Sequence, residues 1–222
     1  MPGVTRQKLM DAAFTRFYRD GFRNVGIDQI LADVGISKTA FYKHFDSKED
    51  LMVAALENHH QRMEQVFLTL LQDRGGDSPL RRLKAIFDAV DLVLESEDFH
   101  GCVFVNASIE FPLPHEPAHI AAAKSKAAFE RILGELARQA VADDPLALAQ
   151  ELMLVMEGAY VTRHVTGNRQ TIDIARRLGE RMIHLRIPPA GKTRTAKART
   201  ARAPKPLAAK ANSRRRLKGA AG

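Results

Sequence analysis

Residues 21–51 read GFRNVGIDQILADVGISKTAFYKHFDSKEDL, and this stretch decides the fold. Ile27, Ile30, Leu31 and Val34 recur at the i, i+3, i+4, i+7 spacing of a short amphipathic helix, which stops at Gly35. A second helix opens at Ser37, a good N-cap residue, and carries Phe41 on its apolar side. Two short helices held at a steep angle across a glycine turn form a helix-turn-helix. Its second helix must keep a polar face free if it is to enter a major groove. Ser37, Lys38, Thr39, Tyr42, Lys43 and His44 supply that face, while Ile36 and Phe41 close the core beneath it.

The same periodicity extends in both directions. Leu9, Ala12, Ala13, Phe17 and Tyr18 predict a preceding helix with Thr5 as N-cap and Gly21 just past its end. After Phe45, Asp46 or Ser47 caps a long helix through Leu51, Ala55, His59, Met63, Val66, Leu70 and Leu71, stopped by Gly75-Gly76. Further helical patterns cover about 80–94, 102–109, 118–140, 145–165 and 171–186, separated by breakers such as Pro112, Pro114, Pro117 and Gly167-Asn168. No stretch alternates as a strand does. The expectation is an all-α chain of about nine helices, divided into a helix-turn-helix head (1–47), a helical body (48–187) and a disordered tail rich in Lys, Arg, Ala and Pro (188–222).

Of the 222 residues, 45% are hydrophobic, enough for a sizeable core, yet apolar runs such as Leu152–Met156 are far too short to span a bilayer. The single cysteine, Cys102, excludes an intramolecular disulfide. Residues 1–6 lack the grading of a secretory signal, so the expected setting is the cytoplasm, with no membrane anchor. The net charge of +8 is not evenly spread. Eleven of the 34 Lys and Arg lie in 188–222 with no acidic residue, leaving 23 basic against 26 acidic residues elsewhere. The case for DNA binding in the head therefore rests on pattern rather than bulk charge, and the tail is expected to act as a sequence-independent tether to phosphate.

The run from Gly21-Phe22 through Gly35-Ile36-Ser37 to Phe41-Tyr42-x-x-Phe45 and Ser47-Lys48-Glu49-x-Leu51 resembles the N-terminal signature of the TetR/AcrR family of bacterial regulators. The likeness is close over about the first 55 residues and holds beyond them in helical plan. It implies that Thr39, Tyr42 and His44 lie on or beside a recognition helix and that Lys48 opens the next helix against a phosphate. Where the family commonly has Thr or Ser before the second helix this chain has Gly26, an acceptable N-cap without a hydroxyl, and Leu31 stands where Ala is common. The expected DNA-contacting set is Gly26, Ser37, Lys38, Thr39, Tyr42, Lys43, His44 and Lys48.

The resemblance also implies a body that binds a small molecule and dimerises through its last two helices. Residues 146–161, LALAQELMLVMEGAYV, are apolar on almost every face, which requires burial on both sides. With the stripe Ile172, Ala175, Leu178, Met182 and Leu185, this predicts a two-fold four-helix bundle from about 146–165 and 171–186. Gly101–Ala107 resembles the family's short sixth helix, between head and ligand cavity. Cys102, Phe104, Asn106 and Glu110, together with Phe87, Met153, Met156, Tyr160 and His164, are the expected lining for an apolar or amphipathic effector. No cofactor is implied.

Two other function classes compete. His115-Glu116-Pro117-Ala118-His119 fits the H-E-x-x-H pattern of zinc hydrolases, but Pro112, Pro114 and Pro117 mark a loop and a first helical turn instead of one rigid helical face. No metal site and no enzyme activity are expected. A nucleoid-packing protein would use the basic tail without sequence preference or ligand. Cys102 reads as a small buried hydrophobe rather than a redox sensor.

Overall fold

The computed structural model describes residues 2–187, so the expected basic tether at 188–222 lies outside the described residues. Nine helices and no strand are present among the described residues. The head comprises α1 (Pro2–Asp20), α2 (Ile27–Val34) and α3 (Lys38–Phe41). Helix α1 begins three residues before Thr5, which therefore lies inside the helix and not at its cap. Proline is well suited to a first helical position, because the N–H it lacks would have no partner there.

Between α2 and α3 the chain reverses at Gly35, whose φ of +74° is the left-handed conformation that a glycine adopts without steric penalty. The amides of Gly35 and Ile36 both donate to the Leu31 carbonyl, at 2.9 and 3.2 Å, and close α2. Ser37 Oγ accepts from Ala40 N at 3.2 Å and opens α3. This helix is shorter than expected. After Phe41 the chain continues as a turn through His44, whose amide bonds the Phe41 carbonyl at 2.8 Å.

The body comprises α4 (Lys48–Gly75), α5 (Pro79–Leu94), α6 (Val103–Glu110), α7 (Pro117–Gln139), α8 (Pro145–Thr166) and α9 (Thr171–Arg186). Helix α4 runs alongside α1, α5 and α7, and α8 packs between α7 and α9. None of the described helices is long and apolar enough to cross a membrane.

Two apolar cores result. In the body, α5, α8 and α9 bury Leu83, Ile86, Phe87, Val90, Leu148, Leu152 and Ile183. In the head, Leu9, Phe17, Phe22, Ile30, Phe41 and Phe45 pack with Leu51, Met52 and Leu56 of α4. Val103, Phe104 and Ala107 of α6 and Ala118 and Ala121 of α7 complete that core. The three head helices alone do not close it. The helix-turn-helix thus shares one core with α6 and the start of α4.

The α7–α8 junction carries a measurable strain. Helix α7 ends in a Schellman arrangement, with Ala142 N on Ala137 O (3.0 Å) and Val141 N on Arg138 O (3.1 Å). The left-handed position is held by Val141, a β-branched residue at φ +58°. Because Val141 is 79% exposed, its side chain contributes little burial. Val141→Gly is expected to stabilise the protein by about 1 kcal/mol, the left-handed penalty less glycine's extra unfolded-state entropy. Equilibrium urea unfolding checks this, and an unchanged or lower midpoint would contradict it.

Candidate functional site

The outward face of the helix-turn-helix is built on Phe41, which is fully buried and anchors the segment that follows α3. Tyr42, next in sequence, is 57% exposed although its ring is large and largely apolar. Ser37, Lys38, Thr39 and Lys43 are also exposed, and His44 is half-buried. Lys38 reaches back to Asp28 of α2 at 2.9 Å, and this hydrogen-bonded carboxylate raises its pKa. Both side chains are exposed, so the pair is a solvent-screened surface contact. Gly26 offers the first turn of α2 no side-chain acceptor; its own amide instead donates to Gln29 Oε1 at 2.8 Å, the bond by which an N3 side chain reaches back to the N-cap.

Lys48 is the first residue of α4, and its ammonium is engaged within the protein. Its ammonium donates to the Phe22 carbonyl at 2.7 Å and lies 5.7 Å from the centre of the Phe17 ring. Burial lowers its pKa, though Glu110 nearby works against this. The side chain bolts the first turn of α4 to the loop after α1 instead of projecting beside Tyr42.

Beneath the head lies a cavity of about 630 Å³. Its apolar walls include Phe14 of α1, Phe67 of α4, Phe104 of α6, Phe129 of α7 and Met153 and Met156 of α8. At the polar end, Lys126 forms an ion pair with Glu157 and donates to Cys102 Sγ at 3.0 Å. Burial alone would lower the Lys126 ammonium, but Cys102 and Glu157 outweigh it and the net shift is upward. Burial raises the Tyr160 hydroxyl, keeping it protonated. His59 of α4 stacks on Phe14 with ring centres 4.1 Å apart, and burial, assisted by Arg62 and His60, pushes it down to about 4, so it is neutral at pH 7.

Of the expected lining, Cys102, Phe104, Met153, Met156 and Tyr160 surround this cavity, whereas Phe87, Asn106, Glu110 and His164 do not. Phe87 is wholly buried between α5 and α9. Asn106 donates to the His100 carbonyl at 2.9 Å, and His164 packs against Gly101 and edge-on to Phe99. Glu110 accepts from the amides of Phe22 and Arg23 at 2.9 and 2.8 Å, so it binds the head rather than a ligand. Sequence reasoning missed Phe14, Tyr18, His59, Lys126 and Glu157. Lys126 sits in the small-residue run Ala121–Ala128, where only rotation about the helix axis separates it from exposed Lys124.

Helix α6 is tied to the head at both ends. At its N-terminal side Tyr18 of α1 donates to Gly101 O (2.8 Å) and accepts from His100 N (2.9 Å). At its C-terminal side Glu110 holds the loop after α1, and Arg23 Nε returns a bond to the Glu110 carbonyl at 2.8 Å. Tyr18 also lines the cavity, so one side chain belongs to both the cavity wall and the head.

In the body, α8 and α9 carry apolar side chains exposed to solvent. Leu154 (73%), Val161 (48%) and Val165 (75%) stand with Ile174 (44%), Leu178 (42%) and Leu185 (71%), and the space before Gly158 is open. The H-E-x-x-H residues have local roles. Glu116 accepts from the Leu113 amide at 2.8 Å, and His119 Nδ1 pairs with the Phe111 carbonyl at 2.9 Å. No group of three or more metal-ligating side chains comes together among the described residues.

Comparison with known proteins bears on both regions. A model of bacterial regulatory proteins of the tetR family matches residues 9–55, and one of the tetracyclin repressor-like C-terminal domain matches residues 79–178. The chain is 24% identical over 177 residues to the HTH-type transcriptional regulator YjdC of Escherichia coli (strain K12), covering 80% of this chain and 92% of that one. It is 30% identical over 105 residues to the HTH-type transcriptional repressor DhaR of Mycobacterium sp. (strain GP1), covering 47% of this chain and 51% of DhaR. Among solved structures, SCO4454, a TetR-family transcriptional regulator from Streptomyces coelicolor, superposes with a TM-score of 0.75 at 25% identity, covering 81% and 94% of the two chains.

Proposed function

The chain belongs to the tetR family of bacterial regulatory proteins, and we propose that it is a homodimeric repressor that leaves its operator when a small apolar or amphipathic molecule fills the cavity. The observation that carries this reading is that the cavity is walled in part by the head's own α1, through Phe14 and Tyr18. A ligand that prefers a different spacing of these walls moves the helix-turn-helix with them. A hundredfold loss of operator affinity needs about 2.7 kcal/mol of differential ligand binding between the two states, well within what a buried aromatic molecule can supply.

One short recognition segment reads too few base pairs to be selective alone, so two of them on a two-fold axis, about 34 Å apart, are expected to read a pseudo-palindrome. The apolar face of α8 and α9 supports that pairing. Thr39, Tyr42 and Lys43 are the side chains best placed for the groove and its phosphates, with Ser37, Lys38 and His44 beside them.

Footprinting on the DNA upstream of the protein's own gene tests the reading. Two protected half-sites one helical turn apart are expected, and uniform protection without sequence preference would favour a nucleoid-packing role instead. Tyr42→Ala is expected to weaken that binding about tenfold or more, the equivalent of one hydrogen bond to a charged phosphate together with its packing. The dimer should persist in sedimentation. Full retention of affinity would remove Tyr42 from the interface.

A further inference from the structure

The cavity contains a built-in pair of opposite charges, and their placement bears on which molecules can enter. Four charged residues line it. Arg19 and Asp98 are exposed at the rim, and Arg19 already holds Asp20 at 2.8 Å. Only Lys126 and Glu157 lie deeper, with side chains 28% and 26% exposed, and they bond each other. The cavity walls are largely apolar, with Phe14, Phe67, Phe104 and Phe129 beside Met63, Leu70, Met153 and Met156. An organic ion entering from water would lose its hydration and find no uncompensated charge to replace it. To gain one, it would have to break the pair and strand the displaced partner in the same apolar space.

Some hydrogen-bonding capacity is nevertheless left over. The hydroxyl of Tyr160 and the ring nitrogens of His59 have no protein partner among the described residues, and both residues line the cavity. Tyr160 stands one helical turn from Glu157 on the same face of α8, close enough for Glu157 and Cys102 to act on its ionisation. An uncharged polar group can thus be met at the end of the cavity where a charge is not.

We propose that the Lys126–Glu157 pair is the charge filter of this cavity, setting the effector class to uncharged, largely apolar molecules that carry one hydrogen-bonding group, and rejecting organic anions and cations of the same shape. The proposal rests on the ligand-sensing reading above and adds to it the chemistry of the ligand. The two halves of the pair act separately. Removing the carboxylate leaves Lys126 with only the Cys102 sulfur beside it, a cation without a carboxylate that attracts anions, and removing the ammonium leaves Glu157 to attract cations.

Three naphthalenes that differ only in head group test this: 2-naphthamide, 2-naphthoate and 2-naphthylmethylammonium, titrated calorimetrically into the full chain. The wild-type protein is expected to bind the amide at least about tenfold more tightly than either ion, a difference of ~1.4 kcal/mol. In Glu157→Gln, which keeps the shape of the side chain, the naphthoate should gain about tenfold relative to the amide. In Lys126→Met the ammonium should gain likewise, and the double variant should restore preference for the amide. Should Lys126→Met fail to fold, the anion-to-amide ratio in Glu157→Gln decides alone. Preference of the wild type for either ion, no measurable binding of the amide, or ratios that do not move in Glu157→Gln would each overturn the filter. The same complexes, assayed on the protein's own upstream DNA, separate the two ideas. Amide binding that leaves DNA affinity unchanged overturns the sensing role and leaves the filter standing, while unselective binding that still releases DNA does the reverse.

Discussion

With the proposed dimer paired through α8 and α9, Leu154→Glu is expected to give a monomer and to lower affinity for its upstream DNA about a thousandfold, ~4 kcal/mol. Leu154 lies midway along α8 and is 73% exposed, in line with Gly158, Val161 and Val165 at successive turns and beside Ile174, Leu178 and Leu185 of α9. A face of this kind is unfavourable in water and becomes favourable when a second copy covers it. In a two-fold interface each substitution occurs twice, so two carboxylates would be buried near the axis without counter-charge. The monomer keeps one recognition segment and loses the second half-site, which is why the DNA effect exceeds that of any single contact. Sedimentation and fluorescence anisotropy measure both consequences, with far-UV circular dichroism to show that the fold survives. A dimer that persists at micromolar concentration with wild-type DNA affinity would place the interface elsewhere.

What could be read in the sequence and what could not divide along physical lines. Helix ends are local events. Ser37, Ser47, Ser78 and Asp144 each accept a backbone amide at an N-terminus, and Pro79, Pro117 and Pro145 each open a helix, so α4 to α9 lie within a residue or two of where caps and breakers place them. Rotation about a helix axis is a different matter. Helix α8 is apolar on nearly all faces, and its pattern alone does not separate Met153 and Met156, which face the cavity, from Leu154, which faces solvent. The intramolecular partners of charged side chains are hidden for a related reason. Glu110 and Lys48 both satisfy backbone groups of the loop after α1, and such long-range pairings leave no periodic trace. Of the cavity walls contributed by the head, Tyr18 reads from the sequence as part of the amphipathic stripe of α1, and Phe14 lies beside that stripe with nothing in the spacing to mark it.

Gly179→Ala sets two effects of opposite sign against each other, and packing should win. In an open helix the change is stabilising by about 1 kcal/mol, since alanine loses less backbone entropy. At this position, however, a Cβ would lie 2.0 Å from Cζ and 2.1 Å from Cε2 of Phe87, well inside contact distance. The ring is completely buried in the body core, so it has no open space to enter. Nor can α9 readily withdraw. Arg176 holds Asp88 at 2.6 Å and the Phe87 carbonyl at 3.3 Å, fixing α9 to α5 one turn before the clash. Overpacking of this kind costs up to about 3 kcal/mol, and the expected net loss is about 2 kcal/mol in urea unfolding. Phe87→Leu removes the ring atoms that the new methyl meets, so in the double variant the two losses should fall short of their sum by about 1 kcal/mol or more. That coupling distinguishes a direct clash from general damage to α9. A Gly179→Ala protein as stable as its parent would mean that α5 and α9 yield to each other. Phe87, which the sequence suggested for the cavity wall, would then have the mobility that a purely structural side chain in a close-packed core lacks.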